Sequence, residues 1–317
     1  MPSEFELIAR YFVQRNEGEA TGVDLGAGDD CALLTPTPGQ RLAVSVDTSV
    51  VDVHFPAEAP AHAVGHRALA VALSDLAAMG ARARWCTLAL TLPDADEAWL
   101  DAFSRGFHAL CHECGVALVG GDVTRGTLSI SVTVHGEVPP GEALRRDGGR
   151  VDDLLAVTGP LGSAHGGLQA WQRGERAIAT PLLAAYLLPR PRLTAGLALR
   201  GLAHCAIDIS DGLLADLGHL CEASGLGAVL EPERLPLAPE LERWLGVDGA
   251  RHAALCGGDD YELLFSLPEA ALDEARRRLA DCGATLYPVG RFRAAPGIVG
   301  AGRVTASGWQ HFSGDAS

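Results

Sequence analysis

Apolar positions in the first half of the chain alternate with polar ones in some segments and recur every three to four residues in others. The helical spacing predicts a first helix, "SEFELIARYFVQR", which opens with a Ser3–Glu6 capping box and turns Phe5, Ile8 and Phe12 to one face. The other expected strands and helices of this half are "RLAVSV", which runs into Asp47, "PAHAVGHRALAVALSDLAAMG", "RWCTLALTL", "DADEAWLDAFSRGFHALCHECG", "VALVGG" and "LSISVTVHGEV".

The pattern restarts after the polar, Gly- and Pro-rich segment "PPGEALRRDGGRVDD", which is typical of a domain boundary. Strands are expected at "LLAVTG", "CAIDIS", "YELLFSL" and "TLYPVGRF", and helices at "PLGSAHGGLQAWQR", "DGLLADLGHLCEA" and "PEAALDEARRRLADCG". Strands and helices interleave in both halves. The pattern therefore predicts a mixed α/β (α+β) class with two domains, at residues 1–140 and 151–317.

Charge and cysteine usage narrow the possible partners and compartments. The 317 residues carry a formal net charge of −15, which disfavours nucleic acid and anionic membrane surfaces as partners. No apolar run reaches the length of a membrane span, and the acidic N-terminus does not resemble a signal peptide. The eight cysteines are scattered, as in a cytoplasmic protein with reduced thiols. Cys111 and Cys114 are interpreted as core and surface thiols, since no second ligand pair accompanies them.

All 25 basic residues are arginines, and the chain contains no lysine. This absence excludes the classes of protein that require a lysine amine: Walker P-loop nucleotidases, protein kinases and Schiff-base enzymes.

Aspartates follow glycines or directly follow apolar runs at several places in the chain. Asp75 interrupts an apolar helix, where burial of its charge costs several kcal/mol unless it is compensated. Asp208 and Asp211 lie three residues apart after an apolar run, so they repel each other unless something positive lies between them. The full set is Asp29, Asp30, Asp47, Asp75, Asp122, Asp208, Asp211, Asp259 and Asp260.

Each aspartate alone has a structural interpretation, as a turn cap, a helix N-cap or the partner of an arginine. The set favours a divalent-cation cluster, because carboxylate oxygens are the ligands that Mg²⁺ prefers. Proteins commonly gather Mg²⁺ to hold a triphosphate. Glycines at 120–122 and 159–167 fit this use, since they allow backbone amides to approach phosphate.

Seven segments in this order resemble one enzyme family over essentially the whole chain. They are "GDDCALL", "SVDTSVVDVHF", "ALSDLAAMGA", "GGDVTRG", "IDISDGLLADLGHL", "GGDDYELLF" and "GWQHF". The chain resembles the thiamine-monophosphate kinases, whose superfamily includes the aminoimidazole-ribonucleotide and selenophosphate synthetases.

The resemblance implies a two-domain synthetase-superfamily fold in a cytoplasmic homodimer. The N-terminal α/β domain would carry the Mg/ATP site and pair its sheet with its partner's across a dimer axis. The C-terminal α/β domain would complete the nucleotide and substrate site. The implied reaction is in-line transfer of the γ-phosphoryl group of ATP to thiamine monophosphate, which makes thiamine diphosphate and requires several Mg²⁺ ions.

The resemblance also implies roles for individual residues. The implied metal ligands are Asp30, Ser45, Val46, Asp47, Asp75, Asp122, Asp208 and Asp211. The implied nucleotide contacts are Gly121, Asp122, Arg146 and Ser210, and the implied catalytic residues are Asp122, Arg146 and Asp211. The implied substrate contacts are His54, Asp259 and Trp309. Val46 offers only its carbonyl, and Asp259 departs from the glutamate that the family usually has.

Simpler roles remain open for several of these residues. His54 also fits a hydrogen-bonded core histidine, Trp309 a lid over the core's edge, and Ser210 a helix cap. Arg145 is an alternative to Arg146 as the nucleotide contact. Two other functions also remain open: a metal-dependent phosphohydrolase, and a non-catalytic protein that binds Mg-nucleotide.

Overall fold

A computed structural model of the chain describes residues 3–13 and 21–302. The chain forms two compact units, Met1–Ala143 (unit 1) and Leu144–Ser317 (unit 2). Both units combine helices and sheets, so the mixed α/β prediction is confirmed. The assignment of separate functional roles to domains 1–140 and 151–317 stays a prediction. Trp309 lies outside the described residues.

Unit 1 is built on a four-stranded sheet. Its elements are α1 (Glu4–Ile8), β1 (Val23–Leu25), β2 (Leu33–Leu34), β3 (Arg41–Val50), α2 (Ala61–Ala78), β4 (Arg82–Leu92), α3 (Glu97–Cys114), β5 (Ala117–Arg125) and β6 (Ser129–Val138). The strand order is β3-β6-β4-β5, with only the β4–β5 pair parallel, and β1 and β2 form a separate ribbon. Helix α2 packs against α3, β3 and β6.

Two glycines allow α2 and α3 to cross closely. A Cβ atom on Gly65 would lie 2.2 Å from the carbonyl oxygen of Phe103, and one on Gly106 would lie 1.9 Å from that of His62. Since both distances are far below van der Waals contact, the helices keep this spacing only with glycine at both positions.

The first helix is shorter than predicted. The Ser3–Glu6 capping box is present, but α1 ends at Ile8 and Ala9–Val13 continues as a π-helical turn. The last two residues of the predicted helix lie outside the described residues.

Strand β3 forms one edge of the sheet and leaves an apolar stripe exposed. Leu42, Val44 and Val46 are 49%, 56% and 61% exposed. The residues that alternate with them, including Ser45 and Asp47, point to the opposite face, because side chains alternate along a strand.

Unit 2 is built on a six-stranded sheet of order β12-β9-β11-β7-β10-β8. Its elements are β7 (Leu154–Val157), α4 (Ser163–Gln172), α5 (Pro181–Leu187), α6 (Leu193–Leu199), β8 (Cys205–Asp208), α7 (Leu213–Ser224), β9 (Gly227–Leu230), α8 (Pro239–Cys256), β10 (Leu263–Leu267), α9 (Leu272–Asp281), β11 (Tyr287–Arg293) and β12 (Gly297–Val299). The core between the sheet and α7 contains Ile207, Leu217 and Leu264. Among the described residues, no helix combines the length and the apolar character that a bilayer span requires.

Candidate functional site

The first acidic feature is a pair in unit 1, Asp47 on β3 and Asp75 on α2, which we call the acid pair. The hydroxyl of Ser45 donates a hydrogen bond to Oδ2 of Asp75. Burial first, and the negative charge of Asp75 second, raise the pKa of Asp47 to about 6, against the charge of Arg67, which lowers it. Ser45, Asp47 and Asp75 are thus brought together, as the ligand prediction requires.

The position of Asp47 corrects one expectation. The predicted strand ended at this acid, but β3 continues to Val50 and Asp47 lies inside it. The alternating pattern did extend further, since Ser49 is buried on the same side as Asp47. A regular strand and a regular helix therefore present the acid pair, and no turn is involved.

A cavity of about 610 Å³ opens in unit 1. Phe5, Ile8 and Phe12 line one side of it, which confirms the predicted apolar face of the first segment. Asp30 and Asp122 line the same cavity. Two of the predicted metal ligands and three apolar side chains therefore line the same cavity.

Gly120 and Gly121, which the sequence offered as a close approach to phosphate, are part of a strand. Gly121 and Asp122 lie inside β5, beside β4. A Cβ atom on Gly121 would lie 1.9 Å from the carbonyl oxygen of Leu88, and the φ angle of Gly121 is +152°. Contact with the neighbouring strand explains this glycine without a phosphate, while Asp122 remains exposed at the cavity.

The second acidic feature is in unit 2, where β8 ends at Asp208 and α7 begins at Leu213. Asp216, in the first turn of α7, is buried, and its Oδ2 accepts hydrogen bonds from three consecutive backbone amides. The donors are the N–H groups of Ser210 at 3.1 Å, Asp211 at 3.2 Å and Gly212 at 3.1 Å. The simpler role that remained open for Ser210 and Asp211, that of helix cap, does not apply: α7 begins at Leu213 after Gly212, and Asp216 satisfies the amides before it.

Asp208, Asp211 and Asp216 form what we call the acid group. Burial first, and the charges of Asp208 and Asp211 second, raise the pKa of Asp216 to about 8. Asp211, Asp216 and His219 place one ligand atom each within 4.8 Å of one another. Asp216 was not among the predicted site residues, although it interrupts the apolar run "LLADL" as Asp75 interrupts its helix.

Asp259 lies beside the turn that carries Ser210. The N–H of Asp259 donates to the carbonyl of Ser210 at 2.8 Å, and the N–H of Tyr261 donates to the carbonyl of Ile209 at 2.8 Å. The predicted nucleotide contact at Ser210 and the predicted substrate contact at Asp259 are therefore neighbours in unit 2.

Asp260 has a structural role, because its carboxyl group binds two backbone amides at the start of α4. Its Oδ2 accepts from the N–H of Gly162 at 2.6 Å, and its Oδ1 accepts from the N–H of Ala164 at 3.3 Å. These two amides belong to the segment 159–167 that the sequence offered to a phosphate. Because a carboxylate already accepts from both, Gly162 and Ala164 do not offer their amides to a phosphate in this structure.

Comparisons with known proteins match both halves of the chain. The model of "AIR synthase related protein, N-terminal domain" matches residues 28–138, and that of "AIR synthase related protein, C-terminal domain" matches residues 150–302. The thiamine-monophosphate kinase of Escherichia coli (strain K12) is 47% identical over 279 residues, which cover 86% of this chain and 86% of that protein. The chain belongs to the thiamine-monophosphate kinase family.

Solved structures of this family agree with the fold. The thiamine-monophosphate kinase from Stenotrophomonas maltophilia K279a is 45% identical, with a TM-score of 0.87 over 92% of this chain and 95% of that one. A structure described as "AaThiL complexed with AMPPCP and TMP" is 28% identical, with a TM-score of 0.80 over 98% of this chain and 97% of that one. The resemblance inferred from the sequence is confirmed.

The remaining residues that the thiamine-monophosphate kinase family implies lie in varied settings. Nδ1 of the half-buried His54 accepts a hydrogen bond from the N–H of Val50 at 3.0 Å, as a core histidine would. Arg145 and Arg146 are both exposed, and Arg145 forms two hydrogen bonds with Asp147. Arg145 is therefore the weaker candidate for a nucleotide contact.

Proposed function

We propose that this thiamine-monophosphate kinase family member transfers the γ-phosphoryl group of ATP to thiamine monophosphate, with Mg²⁺, and makes thiamine diphosphate. The observation that carries the proposal is 47% identity to a thiamine-monophosphate kinase over 86% of both chains. The structure described as complexed with AMPPCP, an ATP analogue, and TMP supports it, because that chain matches 98% of this one.

The acidic residues fit Mg²⁺ by their chemistry and their electrostatics. Hard carboxylate and hydroxyl oxygens are suitable ligands. Asp75 raises the pKa of Asp47, and Asp208 and Asp211 raise that of Asp216, so each set carries repulsion that a cation would relieve. Bound Mg²⁺ would neutralise phosphate oxygens and the charge that develops during transfer. The proposed ligands are Asp30, Ser45, Val46, Asp47, Asp75 and Asp122 in unit 1, and Asp208 and Asp211 in unit 2.

The nucleotide would use the residues that the resemblance assigned. Gly121 and Asp122 lie on the unit 1 cavity, and Ser210 lies on the turn of unit 2 that carries Asp211. The exposed guanidinium of Arg146 is suited to offset phosphate charge. Asp122, Arg146 and Asp211 are the proposed catalytic residues, and their task is to align two polyanions.

The proposed substrate contacts are His54, Asp259 and Trp309. Because Nδ1 of His54 accepts a backbone N–H, the imidazole is neutral and its proton is on Nε2, which makes Nε2 a hydrogen-bond donor. The acceptor of the phosphoryl group is itself a phosphate oxygen, which is anionic near neutral pH. The reaction therefore needs no strong general base.

We also infer a cytoplasmic homodimer. The exposed stripe of Leu42, Val44 and Val46 on β3 supports a sheet-to-sheet contact, since adjacent apolar side chains favour association. The eight free cysteines fit a reducing compartment.

The deciding experiment incubates the protein with ATP, Mg²⁺ and thiamine monophosphate and measures thiamine diphosphate and ADP. We expect equal amounts of both products, and no ADP when the acceptor is omitted. Phosphate release without the acceptor would instead favour a metal-dependent phosphohydrolase. Nucleotide binding without turnover would favour a non-catalytic protein.

A further inference from the structure

The loop at 257–262 holds two residues in an unfavourable backbone conformation. Asp259 has a φ angle of +70° and Tyr261 one of +49°. This left-handed region is tolerated by aspartate but is uncommon for a bulky aromatic residue. Such strain persists where the surrounding structure imposes it.

Backbone hydrogen bonds impose the conformation of this loop. Ile209 donates to the carbonyl of Glu262 at 2.8 Å, and the carbonyls of Ile209 and Ser210 accept from Tyr261 and Asp259. Asp260 adds its two bonds to the amides of Gly162 and Ala164 at the start of α4. The backbone that carries Asp259 is therefore fixed on both sides.

The side chain of Asp259 is fixed by a different contact. The phenol of Tyr261, which is only 8% exposed, donates a hydrogen bond to Oδ1 of Asp259 at 3.0 Å. Asp259 itself remains partly exposed. A buried phenol is thus satisfied by a carboxylate that can still reach a ligand.

We propose that Tyr261 is a positioning residue that orients the carboxylate of Asp259 toward the cationic ring system of thiamine monophosphate. The inference rests on the proposed function, in which Asp259 contacts this substrate. Its chemistry follows from the departure at 259: an aspartate is one methylene shorter than the usual glutamate. A single fixed orientation matters more for a short side chain, because it has less reach with which to adapt.

The test compares steady-state kinetics of the wild type and Tyr261→Phe, which removes only the hydroxyl. We expect the KM for thiamine monophosphate to rise roughly fivefold to tenfold, since the lost hydrogen bond involves a charged group. The kcat and the KM for ATP should stay within about twofold, because neither depends on binding of the ring system. Tyr287→Phe, at the start of β11, is the matched control and should leave all three constants unchanged.

A second background separates a positioning role from a structural one. In Asp259→Asn the carboxylate is already lost, so adding Tyr261→Phe should change the KM for thiamine monophosphate by less than about twofold. An equal effect of Tyr261→Phe in both backgrounds would overturn the proposal, as would an unchanged KM in the single variant. A parallel rise in both KM values, or unfolding at the assay temperature, would show that Tyr261 serves the fold and would also overturn it.

Failure of this inference is distinguishable from failure of the proposed function. An active wild type with an indifferent Tyr261→Phe variant would overturn only the role of Tyr261. A wild type that makes no thiamine diphosphate would overturn the proposed function and, with it, the role of Tyr261.

Discussion

The acid pair of unit 1 and the acid group of unit 2 present carboxylates in different ways. Asp47 and Asp75 project from the interior of a strand and of a helix. The hydroxyl of Ser45 donates to Asp75, and the charge of Arg67 stabilises the carboxylate of Asp47. Asp211 lies on a turn, and that turn is held by a further carboxylate, Asp216, which accepts three amides.

The difference shows that a turn that carries a carboxylate needs an added acceptor for its backbone amides. Regular elements satisfy their own backbone groups, so the acid pair needs no internal ligand. The turn after β8 needs one, and Asp216, which supplies it, adds a third carboxyl group beside Asp208 and Asp211. Burial first, and the neighbouring carboxylates second, raise the pKa of Asp216 to about 8 and that of Asp47 to about 6.

The largest expected effect is on turnover, when the turn after β8 loses the carboxylate of Asp211. Asp211→Asn should lower kcat by at least about a hundredfold, because a group that stabilises transition-state charge typically contributes that much. Its melting temperature should stay near that of the wild type, since the change removes repulsion. Asp248→Asn, at a fully exposed acid on α8, is the control for a charge change elsewhere. A near-wild-type rate in Asp211→Asn would remove Asp211 from the site.

The next effect is on folding stability, when the turn after β8 loses Asp216 as its hydrogen-bond acceptor. Asp216→Ala should lower the free energy of unfolding by roughly 2 kcal/mol or more, because three amides lose their acceptor. Asp75→Ala should change it by less than about 1 kcal/mol, since Asp47 loses a like-charged neighbour. Denaturant titration in metal-free buffer measures both. Equal losses would contradict the distinction between loop and regular element.

A smaller effect separates structural acids from the two acid sites. Burial raises the pKa of Asp260 from 3.8 to about 8, with further contributions from the charges of Glu262 and Asp259, against the two amides that lower it. Between about pH 4 and pH 8 the unfolded chain has lost this proton while the folded chain retains it, so the free energy of unfolding falls as pH rises.

Asp260→Asn does not titrate, so for each pH unit inside this window its free energy of unfolding should fall by up to about 1.4 kcal/mol less than that of the wild type. Denaturant titrations at pH 5 and pH 8 in metal-free buffer measure the difference, and Asp248→Asn should behave as the wild type. Identical slopes in Asp260→Asn and the wild type would show that Asp260 does not carry this pH dependence.

The sequence predicted the long elements well and the short ones poorly. Strands such as β4 and β6 and helices such as α2 and α3 are long enough to show a period. Strands β1, β2, β9 and β12 have two to four residues each, too few for an alternating pattern. Helix α8 was missed because Gly246, with a φ angle of +71°, interrupts its helical conformation.

The candidate site was predictable where chemistry disturbs a pattern and unpredictable where only three-dimensional contact decides. Asp75 stood out because it interrupts an apolar helix, and the structure places it beside Ser45. The motif "GGDD" does not reveal that Asp260 accepts from amides at the start of α4, or that Asp259 accepts from the phenol of Tyr261. The individual ligand, catalytic and substrate roles of the site residues stay predictions.

The most direct test of the central claim counts divalent cations. Electron paramagnetic resonance with Mn²⁺ in place of Mg²⁺, in the presence of AMPPCP, gives the number of ions bound to the wild type, Asp75→Asn and Asp211→Asn. We predict that each variant binds fewer Mn²⁺ ions, or binds them more weakly, than the wild type. Identical Mn²⁺ binding by all three proteins would contradict the assignment of these carboxylates to metal.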